Sequence, residues 1–558
     1  MSNTIDNPDS LPDLSSWICK GTAANPHPEI ENWGDSCMFP GCDNSQKNRS
    51  STATTSSKGN GKTLIPIRGI VLVSIVGIAG GSYTAYRLWQ KFKPCPEGQG
   101  KQNGTCIVIE EPTPQKSSNK NTTAPTNNST QINRSTIAFN PEWISQGDRV
   151  LFKGSSNKDR DLGIEAFKNG NFADAVKYLE KAVFSDRNDP EVQIYLNNAR
   201  AAFQGSPLKI AAVVPVDNRE ASAQEILRGI ADAQTQFNNA GGTRERLVQV
   251  IVANDGNQPD RAQSIARQLT NRPEILGVIG HNSSTASEAA LSEYEPAGLV
   301  TISPTSTSTA LKSDYFFRTV PSDIASGQQL AAYANKMGID RTAVFYNANS
   351  SYSKSLQTAF ETHFQQIGGN VLGSIDLGNP NFDPKQQIQA LQGRVDAIAL
   401  FPDTDTVSVA IALARANTEQ LEPKLSMLGG DALYSSQTLD DGGSAVDGLV
   451  IAVPWFATSQ PYAQRANQRW LGTVNWRTAA SYDATQALLK TIKANPNPTR
   501  ASVLQNLQSV NLPVGQTSGE QLSFTNGERL GEPVLVRIVP GAIGKPRNFD
   551  NGFKLIEP

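Results

Sequence analysis

Cysteine is nearly absent from this chain. Five occur in 558 residues, and none follows Cys106. The long remainder therefore needs neither disulfide nor thiol chemistry. Histidine is scarcer, with only His27, His281 and His363, which excludes a multi-histidine metal site. Neither sign of charge is in excess: 50 Lys and Arg stand against 52 Asp and Glu. No basic surplus exists to hold a phosphate backbone, so composition excludes a general nucleic-acid binder. Hydrophobic residues make up 38%, too few for a polytopic membrane protein. At roughly 100–200 residues per domain, the length exceeds one compact unit.

The few cysteines mark off the N-terminal part. Cys19, His27, Cys37 and Cys42 could supply four zinc ligands, although no CxxC pair is among them. The alternative is a disordered tail with reduced thiols. Cys95 and Cys106 enclose the Gly-rich stretch CPEGQGKQNGTC, which a disulfide could close on an oxidising side. Between Arg68 and Arg87 run 18 uncharged residues, GIVLVSIVGIAGGSYTAY. As a helix at about 1.5 Å per residue they span about 27 Å, enough for a hydrocarbon core with Leu64–Ile67 helping. The run follows a polar tail of more than 60 residues, unlike a signal peptide. Flanking positive charges tie, so charge alone leaves the orientation open. The small residues Gly77, Gly81 and Ala85 would let two such helices approach closely.

These features divide the chain. Residues 1–62 form a polar tail with the zinc candidates, and 63–90 a transmembrane helix. Residues 91–140 form a linker carrying Cys95 and Cys106, 141–205 a helical module, and 207–558 a large domain. Ser56–Thr63, SSKGNGKT, ends like a phosphate loop but lacks the preceding strand that would converge its amides. Ser351–Lys354 matches SxxK without a KTG partner. In 162–190, Leu162, Ala166, Phe167, Phe172, Ala175, Leu179 and Ala182 recur at helical spacing, with Gly170 between two runs. The segment resembles one tetratricopeptide repeat, too few to stand alone. It reads as a docking surface or as a helical spacer.

From Pro207 strands and helices alternate, beginning KIAAVVPV, then a helix through ILRGIADAQTQFNNAGG, then LVQVIVAND. Alternation with near-continuous apolar strands predicts an α/β fold of parallel sheets covered on both faces. About 350 residues is more than one sheet covers, so two lobes are expected. The segments VIVANDGNQPDRAQSIARQL, GVIGHNSST, TISPTSTSTAL, YFFRTVPSD and SYDATQALL follow in order. Together they resemble the type I periplasmic amino-acid-binding family, the leucine/isoleucine/valine-binding proteins. The resemblance covers about 207–558. It implies two lobes joined by three crossovers, one holding roughly 207–323 and 455–535, the other 324–454 and the C-terminal tail. A ligand would lie between them, outside the carboxyl ends of the strands.

An α-amino acid needs converging donors for its carboxylate and an acceptor for its ammonium. Ser283, Ser284 and Thr285 stand between a strand and a helix, where they could cap the helix or help it hold an anion. Asp431, in LGGDAL, is a turn aspartate or an ammonium partner. The resemblance implies that Ser284 meets the carboxylate and that Thr305 offers a backbone carbonyl. It implies a hydroxyl from Thr307, a reaching tyrosine at Tyr352 and the ammonium acid at Asp431. The first loop, PVDNREAS, departs from the family's Thr-Gly turn, where Asp217 and Glu220 could alter side-chain selectivity, and Pro402-Asp403-Thr404 is polar where an aromatic or small residue is usual. An aliphatic ligand is therefore not implied.

With the apolar run as an anchor, the resemblance implies an extracytoplasmic receptor held at the membrane, its N-terminus expected in the cytoplasm, with no enzymatic step and no cofactor beyond the zinc candidates; the span and the helical module are unusual for the family's freely diffusing members. It would serve an ABC permease or a sensing pathway, with a protein partner at the helical module. A repeat module before this fold also resembles bacterial regulators of cell-wall synthases, whose cleft need hold no ligand. A cleft filled by side chains would favour that alternative.

Overall fold

A computed structural model describes residues 140–154, 156–541 and 548–557, together with the strands Trp17–Cys19, Ile30–Asn32, Gln99–Gln102 and Thr105–Val108. The expected membrane span, His27, Cys37, Cys42 and Cys95 lie outside the described residues. Among the described residues no helix is long and apolar enough to cross a membrane. Contacts divide the chain into Met1–Asn128 and Ser129–Pro558. In the first unit, Trp17–Cys19 pairs antiparallel with Ile30–Asn32, and Gln99–Gln102 with Thr105–Val108.

The second unit begins with strand β1 (Ile144–Ser145) and three helices, α1 (Lys158–Lys168), α2 (Phe172–Ser185) and α3 (Pro190–Gln204). Asn157 and Asp189 cap α1 and α3 by accepting backbone N–H bonds. Gly163 lets α1 and α2 cross closely: a Cβ there would stand 2.6 Å from Leu179 Cγ. The first lobe continues with β2 (Leu208–Val214), α4 (Glu220–Asn239), β3 (Val248–Asn254), α5 (Pro259–Thr270), β4 (Ile275–Ile279), α6 (Ser284–Tyr294), β5 (Thr301–Ser303) and β6 (Phe316–Arg318). Its sheet runs β6-β5-β4-β2-β3-β1, parallel except for β1.

The outer edge of β3 is closed by side-chain amides. Asn198 of α3 accepts from the Val250 N–H (2.8 Å) and donates to the Val250 carbonyl (2.7 Å). Asn238 of α4 does the same for Val248, at 2.8 and 3.1 Å. These bonds satisfy the part of the β3 edge that β1, paired at Val252 and Ala253, leaves without a strand. They also fasten α3 to the first lobe, so the helical segment shares that lobe's core.

The second lobe comprises α7 (Asp323–Lys336), β7 (Arg341–Tyr346), α8 (Ser351–Gln366), β8 (Asn370–Asp376), α9 (Pro384–Leu391), β9 (Ala397–Phe401), α10 (Val407–Gln420), β10 (Ser426–Gly429), α11 (Ser436–Gly442) and β11 (Val450–Val453). The chain returns to the first lobe through α12 (Pro461–Trp470), α13 (Trp476–Lys493) and α14 (Arg500–Leu507), followed by a small sheet of β12 (Asn511–Leu512), β13 (Leu522–Thr525) and β14 (Glu528–Arg529). It ends in the second lobe with β15 (Val534–Ile538), α15 (Phe549–Gly552) and β16 (Phe553–Leu555), giving the order β8-β7-β9-β10-β11-β15-β16. The core of this sheet is parallel, but β15 runs antiparallel to both its neighbours, β11 and β16, so the sheet is mixed where alternation predicted parallel strands. Three crossovers, at 319–322, 454–460 and 530–533, join the lobes.

Candidate functional site

The parallel strands end in loops that face one another across the cleft. They enclose a cavity of about 250 Å³, below the roughly 300–1,000 Å³ of drug-sized sites. Its first-lobe wall comes from the loops after β3, β4 and β5. Its second-lobe wall comes from those after β7, β9 and β10.

On the first wall, the Ser283 hydroxyl caps α6 by accepting from the Ala286 N–H at 3.1 Å. Ser284 is buried, and its hydroxyl accepts from the Ser308 N–H at 3.3 Å. Both serines use only acceptor capacity in these bonds, so each keeps its O–H to donate. They stand where the first amides of α6 lack intrahelical partners. Thr305 also lines the cavity, but its hydroxyl donates to the Asn282 carbonyl at 2.8 Å. What it can offer a ligand is backbone. Thr307 is buried behind the wall and is not a lining residue; its carbonyl accepts from the Asp323 N–H at 3.0 Å.

On the second wall stand Tyr352, in the first turn of α8, and Asp431, directly after Gly430. A Cβ at Gly430 would collide with the Tyr352 hydroxyl, so glycine lets that hydroxyl reach the turn, where the Ala432 N–H approaches it at 3.5 Å. Enclosure by protein raises the Asp431 carboxyl above its ordinary value, while the Tyr352 hydroxyl and the Arg477 charge pull it back. Behind it, burial first and then the Asp431 charge push Asp323 up to about 7. Burial raises the Tyr352 phenol well above its usual range, and both aspartates add to the effect.

The unusual polar loop is at the cavity too. Asp403 accepts from Asn347 Nδ2 (3.0 Å) and from the Thr406 hydroxyl (2.9 Å), and Asp405 pairs with Arg219 of the first lobe. Arg219 also donates to the Thr404 carbonyl at 2.7 Å. Asp217 points elsewhere, to Arg261 at 2.6 Å, and Glu220 lines a neighbouring cavity of about 470 Å³. Further bonds hold the lobes together: Ser351 N–H to the Thr285 hydroxyl (3.2 Å), Ser351 hydroxyl to Glu288 (2.7 Å) and Thr309 N–H to the Ser355 hydroxyl (2.9 Å). The cleft is therefore closed over a cavity that no side chain fills.

Sequence reasoning missed several lining residues. Trp476 and Arg477 open α13, where Asn475 caps the helix by accepting from the Arg477 N–H at 2.9 Å. Asn257, Asn282 and Asn347 also face the cavity. The Trp-Arg pair stands three residues ahead of the SYDATQALL segment, close enough to have drawn notice. Among the described residues no cluster of His, Cys, Asp and Glu could hold a metal.

A family profile described as "Periplasmic binding protein" matches residues 207–536. The chain is 22% identical over 260 residues to the leucine-, isoleucine-, valine-, threonine- and alanine-binding protein of Pseudomonas aeruginosa, covering 46% of this chain and 69% of that one. It is 22% identical over 316 residues to the Leu/Ile/Val-binding protein of Escherichia coli, covering 54% and 83%. In fold it is similar to a leucine binding protein from Thermotoga maritima, with a TM-score of 0.55 and 20% identity over 63% of this chain and 98% of that one. A substrate-binding protein of an ABC transporter from Desulfitobacterium hafniense, in complex with Leu, gives a TM-score of 0.53 at 20% identity, over 63% and 100%.

Proposed function

The chain belongs to the periplasmic binding protein family, and on that premise we propose that its cleft binds an α-amino acid by closure of the two lobes. The observation that carries this reading is the cavity between the lobes, with Ser283, Ser284 and the first turn of α6 on one wall and Asp431 on the other. Donors facing an acid match the two charges of a zwitterion. Ser284 and Ser283 would hold the carboxylate, Asp431 the ammonium, Thr305 a backbone acceptor for it, and Tyr352 would cover the ligand from the second lobe. Thr307 would support Thr305 from behind. Hydrogen bonds to charged groups contribute about 1.5–3 kcal/mol each, and four or five reach micromolar affinity, about −8 kcal/mol, after association costs.

Binding of this kind needs no cofactor and no catalytic step. The relatives named as amino-acid-binding proteins support uptake through an ABC permease, or sensing, as the setting. The large domain would then lie outside the cytoplasm, with 63–90 as its membrane anchor and α1–α3 available to a protein partner. An open cavity supports the receptor over a regulator with a filled cleft.

The test is a thermal-shift screen of the full chain against the twenty amino acids, followed by calorimetry of the best binder on wild type and Asp431→Ala. Saturation at about a hundred times Kd would stabilise the fold by about 2.7 kcal/mol. The expected result is a shift with at least one amino acid and a loss of affinity in the variant. Absence of any shift would overturn the reading.

A further inference from the structure

Buried arginines in this fold have carboxylates beside them, with one exception. Arg261 pairs with Asp217 at 2.6 Å, Arg318 with Glu528 at 2.9 Å and Arg160 with Asp161 at 3.0 Å. Arg477 is as deeply placed, 7% exposed, yet its guanidinium makes no ion pair and no side-chain hydrogen bond among the described residues. Its one close companion is the Trp476 ring, 4.2 Å below. A guanidinium removed from water is costly to leave without an ion pair, and here Asp431 and Glu225 relieve that cost only through space.

The side chain borders the 250 Å³ cavity and also the 470 Å³ cavity beside it. It is not alone in lacking a partner there. Trp476 and Asn257 also line the smaller cavity, and their Nε1 and Nδ2 atoms are buried and donate to nothing among the described residues. With Arg477 Nε they make three unmatched N–H groups on residues that line one space. The other carboxylates around the two cavities are engaged: Asp403 with Asn347 and Thr406, Asp405 with Arg219, and Glu225 with Arg228 and the Thr478 hydroxyl. Asp431 lies near enough to hold the guanidinium charged but makes no ion pair with it.

A neutral amino acid would leave this surplus unanswered. Its ammonium would meet Asp431 and its carboxylate the serines at α6, and Arg477 would stay unpaired in a closed cleft. A second carboxylate on the ligand would balance the account of charge. We propose that the ligand is an acidic α-amino acid, and that Arg477, with Trp476 Nε1 and Asn257 Nδ2, receives its side-chain carboxylate. The inference rests on the amino-acid reading above and narrows its substrate class.

The test is calorimetry of the full chain with L-glutamate, L-aspartate, L-glutamine, L-asparagine, L-leucine and glutarate, on wild type, Arg477→Met and Arg477→Lys. In wild type the acidic amino acids should bind roughly ten- to hundredfold tighter than their amides, the range of a charged hydrogen bond. Arg477→Met should erase that ratio while retaining the amides, and Arg477→Lys should restore part of it. A ratio within one protein does not depend on how much of the variant folds. Leucine or the amides binding wild type as tightly as glutamate and aspartate would overturn this inference and leave the amino-acid reading intact. Glutarate binding in an Arg477-dependent way, with no amino acid bound, would overturn the amino-acid reading and keep the anion subsite. No binding by any probe would overturn both.

Discussion

The Thr285 hydroxyl on the first turn of α6 accepts a 3.2 Å hydrogen bond from the Ser351 N–H on the first turn of α8. The bond crosses the cleft and joins the starts of two helices that bear cavity residues on opposite walls. It is made only when the lobes are together, so its energy belongs to the closed state alone.

Thr285→Val keeps the side chain's shape and removes the acceptor. The closed state should weaken by about 0.5–1.5 kcal/mol, a two- to tenfold faster release of ligand with little change in association rate. Stopped-flow measurement of both rates checks this. A change confined to association would contradict the latch.

Gly430→Ala should damage binding without touching the ligand. Its methyl would occupy the place of the Tyr352 hydroxyl and press on Leu356. Tyr352 would have to leave the Asp431 turn, and affinity should fall at least tenfold while the fold survives. Calorimetry beside a melting curve separates the two effects.

Gly229→Ala should act on the fold itself. Gly229 of α4 faces the Thr478 carbonyl and the Tyr482 N–H of α13 so closely that a Cβ has no room. Backbone cannot yield as a flexible side chain does, so a loss of about 1–3 kcal/mol is expected. A denaturant midpoint unchanged from wild type would refute the contact.

Glu191 supplies a pH signature. Burial raises its carboxyl from 4.5 to about 7, although the Leu151 N–H (2.7 Å) and Tyr195 hydroxyl (2.8 Å) both donate to it. The native state keeps a proton that the unfolded chain has released, so stability is fullest below pH 4.5 as far as this group is concerned. It falls as pH rises through 7, by up to about 3 kcal/mol. Asp323, at about 7, and Asp232, at about 6, slope the same way. Glu191→Gln should flatten part of the decline between pH 5 and 8 in thermal melts. An unchanged slope would show that Glu191 is ionised throughout.

Alternating apolar runs made the strands of both sheet cores legible, because strands buried on two faces need them. Asn370–Asp376 escaped notice for the opposite reason. It is an edge strand, only partly buried, with Gly373 in its middle. The inward face of α3 was equally hidden, since Glu191, Gln193, Asn197 and Asn198 are buried there. A sequence pattern assigns such residues to solvent. Ser284, Thr305, Tyr352 and Asp431 were picked out by resemblance and do line one cavity, whereas Thr307 stands behind it. Arg477 was missed because its isolation is a property of space. Nothing in the order of residues tells that a buried arginine makes no ion pair.

The amide stitches between Asn198 and Val250 have a mechanical corollary. They make α1–α3 a fixed bracket on one half of the hinge, so any motion of the cleft carries the other half past them. A dye at Phe184, which projects from α2 at 71% exposure, would keep a constant separation from a second dye on α5. Its separation from one on α9 would track the swing. The bracket thus turns an event deep in the cleft into a displacement legible on the molecule's outside.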